Sequence, residues 1–186
     1  MRISAFVTVS LDNFIARKNG DIDWIEEANK NITENNDCGY FKYTNSVDTF
    51  ILGRNTYEKI ISLGSWHYSK PVIVLTSDLE SLYVPETLKK QIATSNLNPI
   101  TLINRLKNID TLNHISIEGG FTIQNFIANH LLDDIIITKV PILIGEGKPL
   151  FGPISYDKQI MRVNSHAYKF GFNQDHYRFI NLRNVI

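Results

Sequence analysis

Two segments combine glycine with hydroxyl side chains directly after an apolar run, a pattern that suits phosphate binding. Phe50-Ile51-Leu52 leads into Gly53-Arg54-Asn55-Thr56-Tyr57-Glu58, and Ile117 leads into Glu118-Gly119-Gly120-Phe121-Thr122. A helix that begins at such a turn offers unpaired N–H groups and the positive end of its dipole. Two such turns predict a ligand with more than one phosphate, such as a dinucleotide. Each is also compatible with an ordinary tight turn between a strand and a helix.

Arg54 strengthens the phosphate interpretation, because a guanidinium can grip phosphate oxygens with two parallel hydrogen bonds. Neither segment matches G-x-G-x-x-G or G-x-x-x-x-G-K-[ST], so the chain carries neither a Rossmann fingerprint nor a P-loop. The five histidines show no metal-ligand spacing, and the only cysteine is Cys38. We therefore predict no metal site and no internal disulfide.

Three acidic residues need separate interpretation. Asp37 is followed by Tyr40 and Phe41, so its carboxylate could cap a short helix or bind the edge of a cationic or amidine-like heterocycle. Asp133 and Asp134 precede an apolar run and are expected to form a solvated turn rather than a catalytic pair.

The composition is that of a globular protein without a charged partner. The chain has 186 residues, 43% of them hydrophobic, and a formal net charge of zero. We expect one domain over residues 1–186, no nucleic-acid partner, no membrane partner and a cytoplasmic location.

Apolar periodicity predicts strands that alternate with helices, which indicates an α/β sheet, mostly parallel. A closing hairpin formed by Gln159–Lys169 and Gln174–Leu182 would add antiparallel strands and make the sheet mixed. Gly145–Pro149 is predicted to be a loop. The other predicted strands are Arg2–Val9, Thr49–Leu52, Pro71–Leu75, Ile92–Ser95, His114–Glu118 and Asp134–Val140, and the predicted helices are Asn55–Leu63, Phe121–Leu131 and one that starts at Pro99.

Several motifs of this chain resemble motifs of the dihydrofolate reductase-like superfamily, and they occur in the same order. The closer resemblance is to the reductase domain of bifunctional riboflavin-synthesis deaminase-reductases and its stand-alone relatives. The segments that carry it are Ser10–Ala16 (S-L-D-N-F-I-A), Asp23–Ile25 (D-W-I), Leu52–Glu58 (L-G-R-N-T-Y-E), Val72–Ser77, Ile117–Ile123 (I-E-G-G-F-T-I), Leu132–Pro141 and Gly145–Phe151.

This resemblance implies a three-layer fold with a central mixed sheet and NADPH as the hydride donor. Arg54 would lie near the adenosine 2′-phosphate, Gly119 and Gly120 at the pyrophosphate, and Ile15 and Ala16 at the nicotinamide. The full set of cofactor-binding residues that it implies is Ile15, Ala16, Gly53, Arg54, Thr56, Thr76, Ser77, Gly119, Gly120, Phe121 and Thr122.

For the substrate side, the resemblance implies that Asp37 binds the heterocycle and assists protonation, with Thr138 supporting it. It also places Trp24, Phe41 and Tyr57 beside the substrate. On this basis the sequence favours dihydrofolate reductase-type activity on a pterin-like or pyrimidine-like heterocycle. The alternatives are a riboflavin-pathway reductase acting on 5-amino-6-ribosylaminouracil phosphate and a nucleotide-binding protein without catalysis. A homodimer is possible, because proteins of this branch often pair.

Overall fold

An eight-stranded mixed sheet runs through the chain, of which the computed structural model describes residues 1–30, 32, 36–64 and 66–180. The strand order is β5-β4-β3-β6-β1-β7-β10-β9. The strands from β5 to β7 in this order are parallel, whereas β10 and β9 are antiparallel and form the C-terminal hairpin. This confirms the predicted fold class. The strands are β1 (Arg2–Ser10), β3 (Thr49–Gly53), β4 (Val72–Leu75), β5 (Ile92–Ser95), β6 (His114–Glu118), β7 (Asp134–Val140), β9 (Ile160–Ala167) and β10 (Asn173–Phe179).

Helices cover both faces of the sheet, because buried strands such as β1 and β3 are apolar on both sides. Ile51 of β3 packs into one hydrophobic cluster with Phe126, whereas its neighbours Phe50 and Leu52 pack into another with Tyr57. The helices are α1 (Asp23–Asn29), α2 (Tyr40–Asn45), α3 (Arg54–Ser62), α4 (Pro99–Leu106) and α5 (Gly120–Ala128), with a short 3₁₀ helix at Glu86–Leu88.

Three short elements depart from the sequence-based expectation. Helix α1 was not anticipated; its buried Trp24 packs in a third cluster with Cys38, Val140 and Phe172. The segment predicted to be only a loop contains strand β8 (Lys148–Pro149), which pairs with the equally short β2 (Phe14–Ala16). Pairs of this length have no periodicity that a sequence pattern could reveal.

The expectation of a solvated Asp133-Asp134 turn is wrong. Asp134 is 2% exposed and forms ion pairs with Arg2 at 2.9 Å and His176 at 2.8 Å. Burial acts to raise the pKa of Asp134, but the charge and hydrogen bond of Arg2 and the hydrogen bond from His176 outweigh it and hold the pKa below its ordinary value. The carboxylate of Asp133 accepts the backbone N–H of Ile3 at 2.8 Å.

The described ranges contain neither a membrane-spanning helix nor a cluster of metal-ligating residues. No helix there is long and apolar enough to cross a membrane. In that same part of the chain, no group of three or more His, Cys, Asp and Glu residues is placed to hold a metal ion.

Candidate functional site

The two glycine turns pack directly against each other at the carboxyl ends of the adjacent strands β3 and β6. A Cβ atom on Gly53 would lie 2.6 Å from Oγ1 of Thr122, and a Cβ on Gly119 would overlap Oγ1 of Thr56. Each glycine therefore makes room for the threonine that follows the other glycine. Gly119 also has φ +88°, a backbone conformation that glycine adopts without steric cost.

Helices α3 and α5 both begin at these turns with their N-terminal amides uncapped by side chains. Gly53 and Gly119 occupy the N-cap positions, and no side chain in the described part of the chain donates or accepts a capping hydrogen bond at either helix start. Two uncapped helix starts side by side offer N–H donors and positive dipole ends to the two phosphates of a dinucleotide. A Cβ on Gly120 would overlap Cδ1 of Ile15, so this backbone also lies close to the opposite wall. These residues fit the pyrophosphate of a dinucleotide.

An open cleft with a volume of about 1650 Å³ extends to both sides of the two turns. Its walls come from α3, α5, the ends of β4 and β5, and the segments around β2 and β8. The structure brings all of the sequence-predicted cofactor residues together here: Ile15, Ala16, Gly53, Arg54, Thr56, Thr76, Ser77, Gly119, Gly120, Phe121 and Thr122 line the cleft.

One end of the cleft is formed by residues that follow β4 and β5. Thr76 closes a tight turn there, because its Oγ1 accepts the N–H of Asp78 at 3.2 Å and donates to the carbonyl of Asp78 at 2.9 Å. Asn98, which the sequence analysis did not single out, caps α4 by accepting the N–H of Thr101 at 2.9 Å and lines the same end. This end has polar walls suited to a nucleoside.

The opposite end is formed by β2 and β8. Asp12 holds this end together, because its carboxylate accepts the Ser10 hydroxyl at 2.5 Å and the N–H of Gly145 at 2.8 Å. The hydrogen bond from Ser10 is the largest cause that keeps the pKa of Asp12 below its ordinary value. Ile15 and Ala16 therefore sit on a segment that is fixed against the 144–149 loop and give this end an apolar wall.

Glu118 is the main site residue that the sequence analysis missed. It ends β6 immediately before the Gly119-Gly120 turn and lines the cleft. Tyr68, which also lines the cleft, donates its hydroxyl to the Glu118 carboxylate at 2.5 Å. Burial raises the pKa of Glu118, and the hydrogen bond from Tyr68 opposes that rise. A carboxyl group with a raised pKa on a cleft wall is a candidate proton carrier.

The structure places Asp37 at the start of α2, with its carboxylate engaged by that helix. One oxygen accepts the N–H of Gly39 at 2.9 Å and the other accepts the N–H of Phe41 at 2.6 Å. This is the helix-capping alternative. Thr138 accepts a hydrogen bond from Gln174 at 2.8 Å, and the same amide donates to the carbonyl of Cys38. Gln174 thus links Thr138 to the segment that carries Asp37, rather than Thr138 supporting the carboxylate itself.

The three residues predicted to flank the substrate lie outside the described lining of the cleft. Trp24 and Tyr57 are each 1% exposed and belong to the hydrophobic core, and the Tyr57 hydroxyl donates to the carbonyl of Tyr83 at 2.8 Å. Phe41 is 71% exposed on α2. Trp24 and Tyr57 therefore contribute to folding in this structure, and the sequence patterns around them reflect core packing.

Comparison with known families gives a match over nearly the whole chain. Residues 2–171 match the model of the RibD C-terminal domain. The chain belongs to the RibD C-terminal domain family. The matched residues include both glycine turns, Glu118 and the β2–β8 end of the cleft. The match ends just before β10.

Individual relatives support the same family. A proposed riboflavin biosynthesis protein from Shewanella sp. PV-4 is 32% identical, superposes with a TM-score of 0.88, and is matched over 97% of this chain and 100% of that one. Protein YwjB of Bacillus subtilis (strain 168) is 32% identical over 158 residues, which are 83% of this chain and 85% of YwjB.

A more distant structure shares the fold. It is the diaminohydroxyphosphoribosylaminopyrimidine deaminase/5-amino-6-(5-phosphoribosylamino)uracil reductase of Thermotoga maritima, at 16% identity and a TM-score of 0.69. The match covers 96% of this chain and 56% of that one. At this identity the match shows that the two proteins share a fold.

Proposed function

We propose that this protein is a reductase that uses a nicotinamide dinucleotide, with NADPH as the predicted donor, and acts on a pyrimidine-type heterocycle. The observation that carries the proposal is the cleft at the carboxyl ends of β3 and β6. There, two uncapped helix starts, a polar end, an apolar end and a carboxyl group with a raised pKa line one cleft. Membership in the RibD C-terminal domain family supports a reductase.

Different residues of the chain would bind different parts of the dinucleotide. The amides at the starts of α3 and α5 would hold the pyrophosphate, with Thr56 and Thr122 beside them. Thr76 and Ser77 would bound the adenosine, and Ile15 and Ala16 would form an apolar wall against the nicotinamide. The reduced nicotinamide would supply the hydride.

Glu118 would contact the substrate rather than the dinucleotide. Because its pKa is raised, the carboxyl group holds a proton at a higher pH than an exposed glutamate does. The Tyr68 hydroxyl fixes the position of the carboxyl group. From the cleft wall Glu118 would donate this proton, or a hydrogen bond, to a nitrogen or oxygen next to the carbon being reduced.

A pyrimidine substrate is favoured over dihydrofolate on two grounds. The dihydrofolate hypothesis rested on Asp37 and Thr138, but the Asp37 carboxylate is used in capping α2 and Thr138 is bonded to Gln174. The family match and the proposed riboflavin biosynthesis protein of Shewanella point instead to the pyrimidine alternative.

The test measures oxidation of NADPH by the full chain, first with 5-amino-6-(5-phosphoribosylamino)uracil and then with dihydrofolate. We expect turnover with the first compound and little or none with the second. Glu118→Gln should lower kcat by about 100-fold while leaving NADPH affinity within about threefold. Tyr68→Phe is the matched variant, because it removes only the hydroxyl that positions Glu118. Binding of NADPH without oxidation by either compound would contradict the proposal and favour a non-catalytic nucleotide-binding protein.

A further inference from the structure

A second cavity, here called the β7–β10 cavity, lies between α5 and the face of the sheet that β7 and β10 form. Its volume is about 370 Å³, near the lower end of the range of about 300–1,000 Å³ that is usual for small-molecule sites. Ile127 of α5, Ile137 of β7 and Phe179 of β10 belong to its mostly apolar lining. The walls therefore suit the apolar part of a small ligand.

Two side chains of opposite charge also line the β7–β10 cavity, and they do not pair with each other. Oδ1 of Asp175 is buried without a hydrogen-bond partner, whereas Oδ2 accepts Nδ2 of Asn173 at 2.9 Å. Within the described part of the chain, the ammonium group of Lys139 forms no hydrogen bond and no ion pair. Because a buried acceptor without a donor costs free energy, Asp175 favours a donor that the chain does not supply.

The register of the sheet separates these two charges. Asp175 lies opposite Ile137 across the β7–β10 pair, and Lys139 is two residues further along β7 on the same face. Diagonal neighbours of this kind have Cα atoms about 7–8 Å apart. A ligand that lies between the two side chains can therefore contact both of them, provided that it carries two opposite charges.

The other lysine of the lining, Lys158, is already engaged. Its Nζ lies 2.8 Å from Nε2 of His130 and 4.4 Å from the centre of the Tyr156 ring. In the described lining, Lys139 is therefore the cation that is available to an anionic group of a ligand.

A ligand that matches this cavity needs a cationic donor for Asp175, an anionic acceptor for Lys139 and an apolar body for the walls. We propose that the β7–β10 cavity binds a free α-amino acid with an apolar side chain. The ammonium group of the amino acid pairs with Asp175, and its carboxylate pairs with Lys139. The inference does not depend on the proposed function, because the described linings of this cavity and of the cleft share only Gln124, Gly152 and Pro153.

The test is calorimetric titration of the full chain with L-phenylalanine, with L-leucine and with two phenylalanine analogues. Phenethylamine lacks the carboxylate, and 3-phenylpropionate lacks the ammonium group. The wild type should bind at least one of the amino acids at a single site. It should bind each analogue at least about tenfold more weakly than L-phenylalanine, because each has lost one charge-assisted hydrogen bond. Failure of both amino acids to bind saturably, or equal affinity for L-phenylalanine and its analogues, would overturn the proposal.

Two variants test the assignment of the charges. Lys139→Met should weaken binding of L-phenylalanine about tenfold without weakening binding of phenethylamine. Asp175→Asn should weaken binding of L-phenylalanine by a similar factor without weakening binding of 3-phenylpropionate. Lys169→Met is the matched control and should change no affinity, because Lys169 is exposed on the β9–β10 turn and lies outside the described lining.

The outcomes for the variants are distinct from those for the cleft. If either variant leaves the affinity for L-phenylalanine unchanged, or weakens its analogue as strongly as the amino acid, the assignment of the charges is overturned. Both variants should bind NADPH as the wild type does, so a failure at the β7–β10 cavity leaves the proposed function standing.

Discussion

The reciprocal contact between the two glycine turns predicts a specific energetic coupling between Gly53 and Thr122. Gly53 has φ −78° and ψ 152°, which alanine adopts without strain, so the cost of Gly53→Ala comes from crowding and from the loss of glycine at an N-cap. The new Cβ would lie 2.6 Å from Thr122 Oγ1 but 4.0 Å from Thr122 Cβ. Thr122→Ala should therefore remove the crowding completely.

The expected magnitudes follow from this geometry. Overpacking of this kind costs about 1–3 kcal/mol of unfolding free energy, partly offset by about 0.4–1 kcal/mol from the lower entropy of the unfolded alanine chain. Thr122→Ala alone should cost about 1 kcal/mol, because a buried methyl group is lost. The capping and unfolded-state contributions are the same in both backgrounds and cancel in a double-mutant cycle. The coupling should therefore equal the crowding cost, about 1–3 kcal/mol.

The assay is urea unfolding of the wild type, the two single variants and the double variant. The companion pair Gly119→Ala and Thr56→Ala serves as the control, because relief there should be incomplete. Gly119 has φ +88°, and its new Cβ would still lie 3.2 Å from Thr56 Cβ after the hydroxyl is removed. A Gly53–Thr122 coupling below about 0.5 kcal/mol would refute the packing account.

Two further predictions concern carboxylates outside the cleft. Asp134→Asn should lower the unfolding free energy at pH 7 by about 3 kcal/mol. Because the folded-state pKa of Asp134 is depressed, the stability that it adds is present above its ordinary pKa and is lost as the pH falls. As the pH is lowered, the urea concentration at the unfolding midpoint should therefore fall less steeply for the variant than for the wild type. If the two plots of midpoint against pH are parallel, the ion-pair account is contradicted. Asp37→Ala should cost about 1 kcal/mol, and Asp37→Asn should cost part of that, because its single amide oxygen can accept only one of the two N–H groups of Gly39 and Phe41. Both should retain turnover, and loss of turnover in Asp37→Asn at unchanged stability would instead support the catalytic role inferred from the sequence.

The sequence pointed correctly to the two glycine turns that meet in the cleft, because their signals are local. At both turns the glycine, the threonine and the preceding apolar strand are neighbours in the chain. The segments Gly53–Thr56 and Gly119–Thr122 can therefore be recognised from the sequence alone. Short patterns also located the long strands and most helices to within a few residues.

The roles of the carboxylates could not be predicted, because their surroundings arise from contacts between residues that are distant in the chain. The position of Glu118 as a candidate proton carrier depends on Tyr68, which lies 50 residues away in the chain. Asp134 looks like a surface residue until Arg2 and His176 are brought to it by the pairing of β7 with β1 and β10. Asp37 carries the same local pattern whether it caps a helix or binds a heterocycle, and only its hydrogen bonds distinguish the two.

The most direct test of the central claim is amide hydrogen exchange of the full chain with and without NADPH. The cofactor site predicts slower exchange for the amides at the starts of α3 and α5, around residues 54–57 and 120–123, and no change in the β9–β10 hairpin. Unchanged exchange at both helix starts with NADPH in excess, or protection confined to the hairpin, would contradict the account.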